Sequence, residues 1–137
     1  MINFDDLYNA YYETDRFINI SSISPKENRQ YWFDIQKKND MAYFVLIFAR
    51  FDGFVSNYLE NFLDQDEFED MGFMKKVSQL VKKTDPDYTT IDDLYKVRCD
   101  IAHGRESKSE LIDISYVCEN LSRVADNISS STYFMDS

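Results

Sequence analysis

The chain holds one histidine, His103, five residues after Arg98 in the string VRCDIAHG at 97–104. An imidazole titrates near neutral pH and can carry a proton in either direction. A guanidinium stays charged and matches phosphate oxygens bidentately. Cleavage of an RNA phosphodiester by its own 2'-hydroxyl needs both groups. One proton leaves the attacking hydroxyl, another goes to the departing 5'-oxygen, and the charge on the phosphorus must be stabilised. The residues that would do this need no metal. One chain supplies only one proton carrier, so a two-fold dimer that brings two such turns together would complete the set.

The elements around these residues read as helices. Gly and Pro number only 3 and 2, too few for the turns of a sheet-rich domain. Phe44, Phe48, Phe51, Val55, Tyr58 and Phe62 recur at steps of four and three, which marks a buried central helix over 41–63. A first helix is expected over 3–18, with Phe4, Leu7, Tyr8, Tyr11 and Tyr12 on one face, followed by a loop through Ser24. Ser24-Pro-Lys-Glu27 has the form of a capping box opening a helix to about Lys38. Asn39-Asp40 reads as a break in that helix or a cap for the next. The acidic stretch 64–70 is a connector, and Phe73, Val77, Leu80 and Val81 mark a short helix.

Thr90 to Asp93 forms a second box, opening the helix that carries Arg98, and Gly104 ends that helix. Ser107 to Glu110 forms a third box. Leu111, Ile114, Cys118, Leu121, Ala125 and Ile128 then trace the last helix, with residues 129–137 as a frayed tail. The expected fold is all-α: one domain spanning 1–137, an antiparallel bundle of four main helices with one or two short ones.

On that framework Arg98 shares the apolar stripe of Leu94 and Ile101, where a cation demands a partner or a task. Asp52, inside the apolar stretch ARFDGFV, is the expected carboxylate partner. Asp100 is a second supporting residue. Arg50, Asn57 and Arg105 are expected at the pocket rim. Arg98 and His103 can converge if the last turn loosens after Ala102. A salt bridge for Arg98 and a helix-terminal cap for His103 is the purely structural alternative.

The net charge of -10 and pI near 4.4 exclude a general basic surface for nucleic acid, so any RNA must meet a local site. Cys99 and Cys118 lack metal-ligand spacing and read as reduced core thiols. No metal or cofactor is expected. The start of the chain has no basic-then-apolar pattern, and the apolar run at 41–49 is too short for a bilayer, so a cytoplasmic protein without membrane contact is the expectation.

The motif Arg98-Cys-Asp-Ile-Ala-His103, closed by Gly104, resembles the HEPN domains (higher eukaryote and prokaryote nucleotide-binding). VRCDIAHG is similar to their V-R-N-x-I-A-H-G string, with Cys99 where a polar residue, often Asn, usually stands. The resemblance implies a HEPN-like bundle, face-to-face homodimerisation and metal-independent endoribonuclease activity. Arg98 and His103 would be the catalytic pair, leaving cyclic or 3'-phosphate ends. It further implies a place in toxin–antitoxin, phage-defence or RNA-processing systems, with RNA as substrate and an antitoxin or other protein as possible partner. A non-catalytic module of the same fold, used for dimerisation or for holding RNA or a partner protein, is the competing expectation.

Overall fold

A computed structural model describes residues 2–23, 29–105 and 112–130, and within them the chain forms six α-helices and no strand. They are α1 (Asp5–Ser22), α2 (Arg29–Glu60), α3 (Gln65–Phe68), α4 (Phe73–Leu80), α5 (Pro86–Ala102) and α6 (Ile114–Ser130). The all-α bundle expected from the sequence is present, with α1, α2, α5 and α6 long and α3 and α4 short. The boxes at Ser24 and Ser107, and the tail beyond Ser130, lie outside the described residues.

The aromatic stripe of α2 builds the core. Phe44, Ile47, Phe48, Phe51, Val55 and Leu59 are buried, while Tyr58 is half-buried and Phe62 exposed. Phe48 is the hub, its ring centroid 5.0 Å from that of Phe73 on α4, 6.2 Å from Tyr95 on α5, and 5.8 Å from Phe44. Val77, Leu80 and Val81 close the core from α4, and Ile114, Val117, Leu121, Val124 and Ile128 close it from α6.

Beyond shifts of two or three residues at the ends of α2 and α6, three helix boundaries differ from the sequence expectation. Helix α2 runs through Asn39-Asp40 without a break. Gln36 and Asp40 are one turn apart and both face α1. The Asp40 carboxylate there accepts hydrogen bonds from Tyr11 Oη at 2.8 Å and Gln36 Nε2 at 3.2 Å, so an Asp suited to a cap is held mid-helix by tertiary partners. Helix α1 continues to Ser22, since Ile18 is buried and holds the last turns against α2. Tyr12, expected on the packed face, is 54% exposed. Helix α5 begins at Pro86 rather than near Thr90. Asp85 is its N-cap, accepting from the Asp87 backbone N–H at 2.9 Å, and Pro86 takes the first turn.

Contacts along α2 set the directions of the other helices. Asp6 of α1 lies beside Arg50, Tyr11 beside Asp40, and Asp15 beside Gln36, so α1 descends antiparallel to α2. Tyr95, midway along α5, sits against Phe48, and the backbone N–H of Ile112, just before α6, lies close to the Asp40 carboxyl and favours its charged form. The carboxyl end of α5 and the start of α6 therefore lie level with the middle of α2. Asp87, at the other end of α5, is buried and accepts from Arg123 and Asn127 of α6, the latter at 3.0 Å. Burial pushes the Asp40 carboxyl up. The adjacent Tyr11 hydroxyl is raised by burial and by Asp40, so it stays protonated and donates.

Candidate functional site

The last turn of α5 is closed by its backbone before any side chain acts. The His103 N–H donates to the Cys99 carbonyl at 3.0 Å, so helical bonding continues past Ala102. Gly104 then takes φ +67°, a conformation that favours glycine. The Gly104 N–H reaches Ile101 O at 3.1 Å and the Arg105 N–H reaches Asp100 O at 2.8 Å. These two bonds form a Schellman close with Gly104 at the left-handed position. The helix gives way after Ala102 as expected, with His103 at φ -94° and ψ 8° before the left-handed Gly104.

The imidazole folds back onto the same turn. His103 Nδ1 is 2.8 Å from the Cys99 carbonyl oxygen. A carbonyl only accepts, so Nδ1 must carry a hydrogen in that bond. In neutral imidazole this leaves Nε2 with its lone pair. His103 is exposed. The backbone thus selects the tautomer whose outer nitrogen can take a proton.

Arg98 is also exposed, and no hydrogen bond or ion pair holds its guanidinium among the described residues. The ion pair expected between Asp52 and Arg98 is not formed. Both instead lie near the hydroxyl of Tyr95, three residues before Arg98. That hydroxyl is raised by its bond to Cys99 and by burial; Asp52 adds to the effect and Arg98 opposes it. Tyr95 was not among the residues the sequence singled out. Its spacing from Arg98 was the available signal, masked by the many aromatic residues of the chain.

Asp100 carries a different partner from the one expected. Its carboxylate lies 3.5 Å from Arg105 Nε, across the Schellman turn. This ion pair occupies the place where such a turn often has an apolar contact. Both groups are largely exposed, so the pair adds little energy but fixes the turn's edge. Arg105 therefore borders the His103 turn.

Arg50 and Asn57 do not. Arg50 pairs with Asp6, with Nη2 at 3.0 Å from Oδ2, and donates to Asn3 O at 2.9 Å, tying α2 to the start of α1. That pairing holds the Asp6 carboxyl below the usual range. Asn57 is exposed further toward the carboxyl end of α2.

Cys99 is half-buried and Cys118 buried, both as free thiols, and burial pushes the Cys118 thiol up to about 11. It is a protonated core group. No cluster of metal-binding side chains occurs among the described residues, and none of their helices is long and apolar enough to cross a membrane. A groove of about 810 Å³ runs between the start of α1 and α6, lined by Phe4, Tyr8, Cys118 and Arg123 among others, and it contains none of the site residues.

No protein-family model matches the chain, and neither a curated protein nor a solved structure matches it. The functional reading therefore rests on the chemistry of the α5 turn.

Proposed function

We propose that the chain is a metal-independent endoribonuclease of the HEPN type, acting as a homodimer. The observation that carries this reading is the His103 turn. Its Nδ1 is committed to the Cys99 carbonyl, its Nε2 is left for proton transfer, and the exposed guanidinium of Arg98 stands five residues earlier on the same helix end. His103 serves as general base or acid, and Arg98 binds the scissile phosphate. Asp100 positions Arg105 at the edge of the turn, while Asp52 and Arg98 act with opposite signs on the Tyr95 hydroxyl. The second proton carrier comes from the second copy. A role as toxin or phage-defence effector, held in check by a protein partner in the cytoplasm, accords with this chemistry.

Purified protein incubated with total RNA in the presence of a chelator is expected to leave cyclic or 3'-phosphate ends. His103→Ala and Arg98→Ala are each expected to lower the cleavage rate by about a hundredfold or more, with unchanged helical circular dichroism. Equal cleavage by both variants, or 5'-phosphate ends that disappear with the chelator, would refute the reading. If no RNA is cut by the native chain while it still forms a dimer, the non-catalytic binding module is the better account. The charge of -10 favours that second reading.

A further inference from the structure

Helix α1 and the first half of α2 form a helical hairpin, held by Ile18 and by the hydrogen bonds that join Asp15, Gln36 and Asp40. Over residues 29–43 α2 buries only Gln36 and Asp40. Its apolar side chains beside α1 therefore stay partly open, and a groove of about 570 Å³ lies against them. That volume falls within the roughly 300–1,000 Å³ of small-molecule sites. Ile18, Trp32 and Ile35 line it; Ile18 is buried and the other two are half-buried. Phe17, 65% exposed, forms one wall.

Two polar groups stand at the same groove. Lys38 is exposed, and its ammonium has no ion-pair partner among the described residues. The Asn39 amide nitrogen is buried with no acceptor among the described residues. A buried donor left without an acceptor is a cost that an oxygen brought by a ligand removes. Rotation of the amide about its Cβ–Cγ bond is the small change by which that donor meets such an oxygen.

Charge sets this groove apart from the rest of the molecule. The chain carries 25 acidic side chains against 15 basic ones, yet no carboxylate lines the groove. A smaller groove of about 310 Å³ shares Ile18 and Trp32 with it, and there again a cation, Arg29, is present without a carboxylate. The larger groove between α1 and α6 is the reverse. Asp5, Glu119 and Asp126 line it, and its Arg123 is paired with Asp87. An anion approaching so acidic a chain is repelled by most of the surface. At the hairpin it meets a cation above an apolar floor.

We infer that the 570 Å³ groove between α1 and the first half of α2 binds a small carboxylate with an apolar body. The body covers Ile18, Trp32 and Ile35, and the carboxylate accepts from Lys38 and Asn39. Chemistry selects this occupant over its alternatives. A neutral apolar molecule leaves both polar groups unanswered, and a cation is repelled by Lys38. None of the residues of the Arg98–His103 turn lines the groove, so the inference stands independently of the proposed nuclease.

Calorimetric titration with decanoate, decanol and decyltrimethylammonium, below micelle formation, tests this with one tail and three head groups. Decanoate is expected to bind saturably, one per chain, with a dissociation constant about tenfold or more below those of the other two. Lys38→Glu is expected to weaken decanoate about fivefold or more and to leave decanol unchanged. Phe17→Ser removes apolar wall and not charge, and should weaken decanoate and decanol alike, about threefold or more. Both positions are exposed, so the helical circular dichroism should not change. Tyr116→Glu, at the exposed side chain of α6, serves as control and should bind decanoate as the native chain does. The absence of saturable binding overturns the inference, as do equal affinities for the three head groups or decanoate binding that withstands both substitutions. Attachment to phosphatidylcholine vesicles by a chain that takes up no free decanoate overturns it too.

Discussion

The two halves of α2 obey different rules within one uninterrupted helix. From Phe44 to Leu59 it buries six apolar side chains, each touching helices from other parts of the chain. From Arg29 to Tyr43 it buries only Gln36 and Asp40, and both are held by hydrogen bonds to α1. The first region is stabilised by apolar area removed from water, which is non-directional and large. The second is fixed by a polar network of Asp15, Tyr11, Gln36 and Asp40, which specifies geometry but returns little net energy because each member must be desolvated. A helix that leaves its bundle in this way keeps its register through hydrogen bonds while its apolar side chains remain available to another molecule.

The sharpest break of this comparison is a paired truncation. Phe48→Ala in the bundle removes the ring that meets Phe44, Phe73 and Tyr95, and it should cost about 3–5 kcal/mol in urea unfolding. Phe17→Ala, at an exposed position of α1, should stay within about 0.5 kcal/mol. Similar losses in both variants would mean that the hairpin is part of the core. A middle-sized effect is expected at the far end of α5. Asp87→Ala leaves Arg123 and Asn127 without their shared acceptor and should cost about 1–3 kcal/mol, part of it recovered because Arg123 can turn to solvent.

Smaller again is Gly104→Ala. A Cβ there meets nothing within 4 Å, so the cost is that of the left-handed backbone alone, about 1 kcal/mol, and Gly104→Asn should recover some of it. Thermal unfolding of the three chains would reveal a different cause if Asn were as costly as Ala.

The smallest effect is a change of slope with pH. Burial raises the Asp40 carboxyl in the folded chain above its unfolded value. The folded state then holds this proton more tightly than the unfolded state does. The contribution to stability is complete below the unfolded carboxylate value and is lost as pH rises through the raised folded one. The stability of the native chain relative to Asp40→Asn should therefore decline as pH rises from acid through that window. A difference that stays flat, or grows with pH, would show that the Tyr11 and Gln36 hydrogen bonds outweigh desolvation at this site.

Legibility in the sequence followed the same division. The bundle was readable because the stripe from Phe44 to Val55 and the run from Ile114 to Ile128 repeat at helical spacing and are buried as the pattern requires. Asn39-Asp40 misled because cap chemistry is local, whereas the Tyr11 hydroxyl that donates to Asp40 in mid-helix comes from α1, 29 residues away. At α5 the signal was present: Asp85-Pro86 is itself a helix start, and the box at Thr90 competed with it. Of the candidate site, the Arg98–His103 spacing and the stop at Gly104 were legible because both lie in one helical turn and its close. The partners of Arg50 and Asp100 were not, since Asp6 is brought in by the α1–α2 crossing and Arg105 by a backbone reversal that spacing alone does not specify.

The one tryptophan of the chain, Trp32, lines both grooves of the hairpin and lies outside the buried core, where Phe and Tyr do the packing. Its fluorescence emission is thus a built-in reporter of the packing between α1 and the first turns of α2. During unfolding it should follow the detachment of α1 from α2 rather than the loss of the aromatic centre.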